Sequence, residues 1–338
     1  ALAYSGPGQG SSDGEGSHPD HLFATVPDPR DSWMWEHPVA AMRGLTLLET
    51  VPEVDPQRLG LTGYSGGAVA TLVANGVDPR PVAAVPVSAS GYMDLAISAT
   101  PTPGWQADLL AAMDPPRDAS SPEWAAYETW LDPKRFLATP AGATLLIDGA
   151  QDEFFPLNAL GATFSDLFAA DPRTRLLAIK DWDHGWYALF TGEEAAAMST
   201  AALTSWFGRA FGTVPAMAEA PPRPQALTVI PWFCPFPCAA VAVDTNRGGY
   251  TVTGAKVHFS GDSALTFASW NLQDQGGGVW GAEVGTWDAA ALPPGTIPHF
   301  AEVTYRAGAL GPTFTLTTAP MLPAGFSPNI LPIAGPLP

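Results

Sequence analysis

Basic residues are scarce: 15 Lys and Arg stand against 33 Asp and Glu, a formal net charge of −18. A phosphate backbone or an anionic lipid surface repels such a chain, so neither nucleic acid nor a membrane surface is an expected partner. No apolar run reaches the roughly eighteen residues that a membrane-crossing helix needs. Ala1 to Ser5 likewise lacks the basic start and long apolar stretch of a signal peptide. The expectation is a soluble chain from which any export signal has been removed. Cysteine is limited to Cys234 and Cys238, in Cys-Pro-Phe-Pro-Cys. A tight turn closes that spacing into a disulfide, with two free thiols as the alternative, and a metal would need further ligands nearby that are not there. A small disulfide loop favours a secreted or periplasmic protein.

Apolar residues, by contrast, are plentiful. The chain is 46% hydrophobic, with 12 Trp and 16 Phe in 338 residues, which is enough for a large core and suggests one large domain followed by a small one. With 34 Gly and 36 Pro it reads as folded and loop-rich. Ala1 to Tyr4 reads as a strand running into the glycine-rich loop Ser5 to Gly10. From Pro38 to Val51, Val39, Met42, Leu45, Leu47 and Leu48 recur at helical spacing, with Pro38 suited to a first turn. Short aliphatic strands at 58–62, 81–87, 144–148 and 175–179 alternate with helices at 66–74, 157–169 and 193–211. That alternation implies a parallel sheet covered on both faces. Residues 88–140 form an irregular insertion bearing Trp and Pro, with short helices near 105–113 and 122–131. Beyond Pro221-Pro222-Arg223-Pro224 the pattern changes to alternating Val, Thr, Phe and Tyr with no helical period, as in a small antiparallel β-sandwich.

Gly63-Tyr64-Ser65-Gly66-Gly67 fits G-x-S-x-G. A sharp strand-to-helix turn leaves no room for side chains beside the serine, which is why glycines flank it. The match alone is weak, but an apolar strand enters it and a small-residue helix leaves it. The expected order Ser, Asp, His continues with Asp152 just beyond a strand at Leu145 to Asp148 and His184 just beyond the next, 87 and then 32 residues further on. Serine, imidazole and carboxylate so ordered are the parts of a catalytic triad. Glu153, Asp181 and Asp183 are alternatives to Asp152, which alone follows the strand-turn pattern.

These residues, with Gly60 to Val69 and Asp183-His184-Gly185, resemble the α/β-hydrolase superfamily. Trp33 to Leu48 followed by Asp55-Pro56-Gln57-Arg58 is similar to its acetyl xylan esterase and dienelactone hydrolase-like branch. Thr62 to Arg80 and Asp152-Glu153-Phe154-Phe155 are similar to the PhoPQ-activated pathogenicity-related proteins, though the Ser-Lys-Arg-Gly found there after the nucleophile is absent. The resemblance implies an α/β fold over residues 1–220, with a mostly parallel sheet, helices on both faces and a lid insertion at about 88–140. A β-rich C-terminal domain at 221–338 follows. It also implies that Ser65 attacks an acyl carbonyl, His184 moves the proton, Asp152 orients the imidazole and the Gly66 N–H lines the oxyanion hole. The implied substrate is a small-molecule or polymeric ester, and no cofactor is called for. Ala1 to Gly10 resembles the fourth strand of that fold and its loop. Either the earlier strands, and with them the second oxyanion donor, are expected outside this chain, with an N-terminal fragment of the same precursor as a candidate partner, or the oxyanion hole is built differently.

Tyr64, Trp182 and Trp186 flank the motif residues and are candidate pocket walls, while Trp105, Trp124 and Trp130 read as core of the insertion. His18, Asp20 and His21 are ligand-type residues in a polar loop, read as solvated rather than metal-binding. His37, His258 and His299 have no evident partners in sequence and read as structural. Two rivals stand beside a carboxylic ester hydrolase: a serine peptidase or amidase with the same triad, and a non-catalytic protein whose β-rich tail binds a polymer.

Overall fold

Glycine and proline punctuate the chain into short elements, described by a computed structural model for residues 1–99, 104–184, 192–217, 221–226, 238–243, 249–276, 278–283 and 297–330. They divide into two compact units. One comprises Ala1–Leu146, Asp152–Thr174 and the chain end from Ile330; the other comprises Ile147–Gln151 and Arg175–Asn329.

The first unit opens without the expected strand. Ala1 to Tyr4 is exposed and makes no strand ladder among the described residues, and a strand exists only where a neighbour completes its ladder. Helix α1 (Pro19–Leu22) precedes α2 (Trp33–Glu49), which starts five residues before Pro38. Ser32 caps α2, its hydroxyl accepting from Met34 N at 3.1 Å, so Pro38 lies inside the helix rather than in its first turn. Strand β1 (Leu59–Tyr64), helix α3 (Gly66–Val77) and strand β2 (Pro81–Val87) form a unit of strand, helix and parallel strand, with Gly60 opposite Ala83 and Tyr64 opposite Val87. Strand β3 (Ala143–Gly149) lies beyond β2 in the same order, and Ile147 to Gly149 belong to the second unit.

The insertion at 88–140 contributes α4 (Met93–Ile97), α5 (Trp105–Ala111) and α6 (Pro122–Trp130). It is core rather than a loose flap: Leu110, Met113, Tyr127 and Leu137 share one buried cluster with Val69 and Leu72 of α3. Asp132 pins it, its two carboxylate oxygens accepting from Tyr92 N and Met93 N at 3.0 Å each at the start of α4. Burial raises the Asp132 carboxyl above its ordinary value, opposed by these N–H groups and by Lys134. Trp124 is buried as expected, but Trp130 is 61% exposed and so is not core. Helix α7 (Leu157–Ala170) completes the unit.

The second unit holds β4 (Arg175–Ile179), α8 (Gly192–Ala210), β5 (Pro224–Ala226), β6 (Cys238–Val243), β7 (Tyr250–Phe259), β8 (Ala268–Gly276), β9 (Val279–Glu283), β10 (His299–Ala307) and β11 (Thr313–Thr317). The strands run in the order β4-β11-β10-β7-β8-β9-β6-β5. Thr317 of β11 opposes Leu176 of β4, and the Thr317 hydroxyl accepts from Ala178 N at 2.9 Å. This non-local pairing groups β4 and α8 with the later strands, whereas a boundary at 220/221 would separate them. β8 pairs with β7 through Ala268–Leu272 and with β9 through Gln273–Gly276. The expected Cys234–Cys238 pairing lies outside the described residues. Among the described residues no helix is long and apolar enough to cross a membrane.

Buried Asn75 joins α3 to the start of β3. Its amide donates to Gly142 O and Thr144 Oγ1 at 3.1 Å each and accepts from Gly142 N at 2.8 Å. Asn75→Ala leaves the Gly142 N–H unsatisfied and is expected to lower the unfolding free energy by about 2–4 kcal/mol. Urea unfolding measures this, and a loss below about 0.5 kcal/mol contradicts it.

Candidate active site

Ser65 sits where β1 hands over to α3. Its N–H donates to Val87 O at 3.0 Å, adding one last parallel-sheet bond, and its carbonyl already accepts from Ala68 N and Val69 N at 2.8 and 3.0 Å in the helix. Between those two commitments the backbone turns through φ 55°, ψ −121°, a conformation that costs a non-glycine residue about 1–3 kcal/mol. The turn is possible because residue 63 has no side chain: a Cβ there would lie 2.3 Å from both the carbonyl carbon and the oxygen of Gly67. Ser65 is the N-cap of α3, yet its side chain does not cap the helix. Its hydroxyl is thus spared the commonest duty of an N-cap serine, beside the positive end of a helix dipole.

Gly66 is closed in from the side by α2. A Cβ on it would stand 2.7 Å from Trp33 Cη2 and 3.9 Å from His37 Nδ1. Trp33 is held by its indole N–H donating to Pro7 O at 3.0 Å, and its ring meets that of His37 at 4.4 Å. His37 is 6% exposed, with no hydrogen-bond partner for Nδ1 among the described residues, and burial pushes its imidazole down to about 4. A helix that begins at Pro38 leaves both residues outside it, although Trp33 carries part of the family resemblance and His37 reads as structural. The i, i+4 spacing of Trp33 and His37 was the available signal.

Asp152 is 2% exposed. Its Oδ1 accepts from Phe154 N and Phe155 N at 2.8 Å each, a local turn that fixes the carboxylate. Phe154 and Phe155 pack in the buried cluster that also holds Trp33, Ala68 and Val69, so the Asp152 loop and the helix after Ser65 rest on one core.

His184, 1% exposed, belongs to the second unit and follows β4. Its loop is tied to the end of β3: Ala150 N donates to Ile179 O at 2.8 Å and Gln151 N to Trp182 O at 3.2 Å. Gly149 is obligatory there, because a Cβ would lie 2.1 Å from the Trp182 carbonyl oxygen. The residue bonded to this loop, Gln151, immediately precedes Asp152 in sequence. Lys180 and Asp181 form an ion pair in the same loop, and Asp183 is buried.

Of the expected pocket walls, Tyr64 ends β1 at 46% exposure and Trp182 is half-buried, while Trp186 lies outside the described residues. Among the described residues no three His, Cys, Asp or Glu side chains gather to hold a metal ion. His21 instead bonds Gly16 O through Nδ1 at 2.6 Å, and His18 faces Asp20 at 3.3 Å.

A strand, a sharp serine turn and a helix, followed by β3, α7 and β4, define an α/β-hydrolase-like fold with a mixed sheet. The chain belongs to the prolyl oligopeptidase family, which matches residues 41–214, just over half of it. No curated protein matches it. Solved structures with partial likeness include an acetyl xylan esterase from Paenibacillus sp. R4, 23% identical over 52% of this chain and 54% of that one, with a TM-score of 0.40. An acylaminoacyl peptidase from Pyrococcus horikoshii is 16% identical over 52% and 28%, with a TM-score of 0.43. A puromycin-hydrolyzing peptidase of Mycobacterium tuberculosis is 20% identical over 53% and 26%, with a TM-score of 0.42. The chain therefore spans only part of the length of each of these proteins.

The buried His37 makes stability depend on acid. An unfolded imidazole takes its proton near 6.5, whereas the folded ring resists until about 4. The unfolded chain thus binds more protons between those values, and stability falls as pH drops from 6.5 to 4, then levels off. At pH 4.5 the wild type is expected to have lost about 2 kcal/mol more of its pH 7 stability than His37→Phe has lost of its own. Urea midpoints at the two pH values test this, and equal losses contradict it.

Proposed function

We propose that the chain is a carboxylic ester hydrolase working through an acyl-enzyme, with Ser65 as nucleophile, His184 as general base and Asp152 as the group that orients the imidazole. The observation that carries this is the strained turn at Ser65, whose side chain does not cap the helix and which has room only because residue 63 is glycine. Strain of this kind persists where the surrounding structure over-determines it and clusters at functional sites. On this reading Ser65 Oγ adds to the acyl carbon while its proton passes to His184. The negative oxygen that forms takes a hydrogen bond from Gly66 N–H at the helix start, and protonated His184 then releases the alcohol. Water repeats the sequence to free the acid. Asp152 is suited to its part because two backbone N–H groups hold one carboxylate oxygen and so fix the carboxylate in place. Tyr64 and Trp182 are the proposed walls for the substrate, and the packed helices α4–α6 are the proposed lid.

A second reading, a peptidase or amidase, is favoured by the prolyl oligopeptidase family match itself. Triad chemistry serves both leaving groups, so substrate tests decide. p-Nitrophenyl acetate and butyrate are expected to be turned over, and aminoacyl p-nitroanilides much more slowly. Cleavage of the anilides alone overturns the ester assignment. Ser65→Ala is expected to lower kcat on the ester by about 10⁴–10⁶, and Asp152→Asn by about 10⁴ with KM little changed. Full activity in Ser65→Ala overturns the proposed nucleophile.

A further inference from the structure

The second unit contains another serine, histidine and carboxylate in a hydrogen-bonded line, independent of the residues proposed above. Ser269 of β8 and His258 of β7 face each other as Cα partners in the antiparallel ladder, and β10 lies on the other side of β7. Ser269 Oγ is 2.9 Å from His258 Nδ1, and His258 Nε2 is 3.2 Å from Glu302 Oε2 of β10. The imidazole is 2% exposed and Glu302 is buried, while Ser269 is exposed. Lys256 approaches the other Glu302 oxygen at 3.7 Å.

The tautomer follows from the neighbours. An ionised carboxylate can only accept, so in the neutral ring Nε2 carries the hydrogen that Glu302 receives, and Nδ1 is left as the acceptor for the serine hydroxyl. Burial is the largest single influence and would raise the Glu302 carboxyl, but the hydrogen bonds and charges of His258 and Lys256 together hold it below its ordinary value. A hydroxyl bonded to a base that is itself oriented by a carboxylate is the arrangement that activates a nucleophile. The line also opens on space: Ser269, His258 and Glu302 border a cavity of about 100 Å³, with Lys180 and Lys256 on its rim and Met198 of α8 on its wall. At about 30 Å³ per water in the liquid, that holds about three waters or a short acyl group.

We propose that Ser269 is a second acyl-accepting site, taking a short acyl group from a small activated ester. Ser269 Oγ bonds to the acyl carbon as the carbon–oxygen bond to the leaving alcohol breaks, and the hydroxyl proton passes through His258 Nδ1 to the departing oxygen. Lys180 and Lys256, each paired with an acidic neighbour, Asp181 and Glu302, border the same cavity together with Glu194.

The test uses the full chain as Ser65→Ala, treated with p-nitrophenyl acetate and digested for peptide mass spectrometry. One acetyl group is expected on Ser269, appearing at least about ten-fold faster than on another exposed serine such as Ser11, as a positioned base should provide. Ser269→Ala is expected to abolish it. Glu302→Gln, which keeps a hydrogen-bond acceptor for His258, is expected to slow it by about ten-fold or more. Absence of an adduct at Ser269, acetylation no faster there than at Ser11, or an unchanged rate in Glu302→Gln overturns the proposal. Residual turnover in Ser65→Ala bears instead on the assignment of Ser65, so the two readings fail separately.

Discussion

Two glycine backbones in contact govern the catalytic proposal. Residue 63 approaches residue 67 so closely that a single added methyl group would have to overlap a carbonyl. That contact lets a parallel strand end and a helix begin with one residue between them, and the residue caught between is a serine with φ 55°. Everything proposed for the chemistry assumes this turn: the exposed approach to the hydroxyl, the Gly66 N–H aimed at the same space, and a helix dipole favouring negative charge there. The strain is local, and its cost of about 1–3 kcal/mol is borne by the packing of α3, whose buried face runs from Ala68 to Ala74.

The surroundings of the turn are rigid for identifiable reasons. The Trp33 ring of α2 crowds the side of Gly66 where a Cβ would stand, and the helical insertion locks onto α3 through buried aliphatic and aromatic side chains. The loops bearing Asp152 and His184 are held by different means. Backbone N–H groups grip the aspartate, while the end of β3 grips the turn before the histidine through Gly149, Ala150 and Gln151. A proton relay tolerates little misplacement, since about 1 Å of error can cost a hundred-fold in rate. Fixing each group by backbone contacts, rather than by long flexible side chains, suits that demand.

Much of this was legible in the sequence because it is set locally. Glycine spacing around Ser65, strand limits at Pro81–Val87 and Arg175–Ile179, and the helix from about Leu157 all follow from short-range patterns and match the structure. What the sequence concealed depends on distant partners. Ala1 to Tyr4 has strand composition but makes no strand ladder among the described residues. The proline signal at residue 38 outweighed the serine cap six residues earlier, which shifted the start of α2 and hid the role of Trp33 and His37. The grouping of β4 with the later strands arises from a pairing of residues 176 and 317, and the partners of His258 stand 11 and 44 residues away on neighbouring strands. Neither pattern can be read without the register.

The most direct test of the central claim is a crystal structure of the protein after reaction with a fluorophosphonate. The account predicts phosphorus bonded to Ser65 Oγ, the phosphonyl oxygen within hydrogen-bond reach of Gly66 N, and His184 adjacent with Asp152 on its other ring nitrogen. An unmodified Ser65, or a modified one with residues 152 and 184 remote from it, would contradict the account.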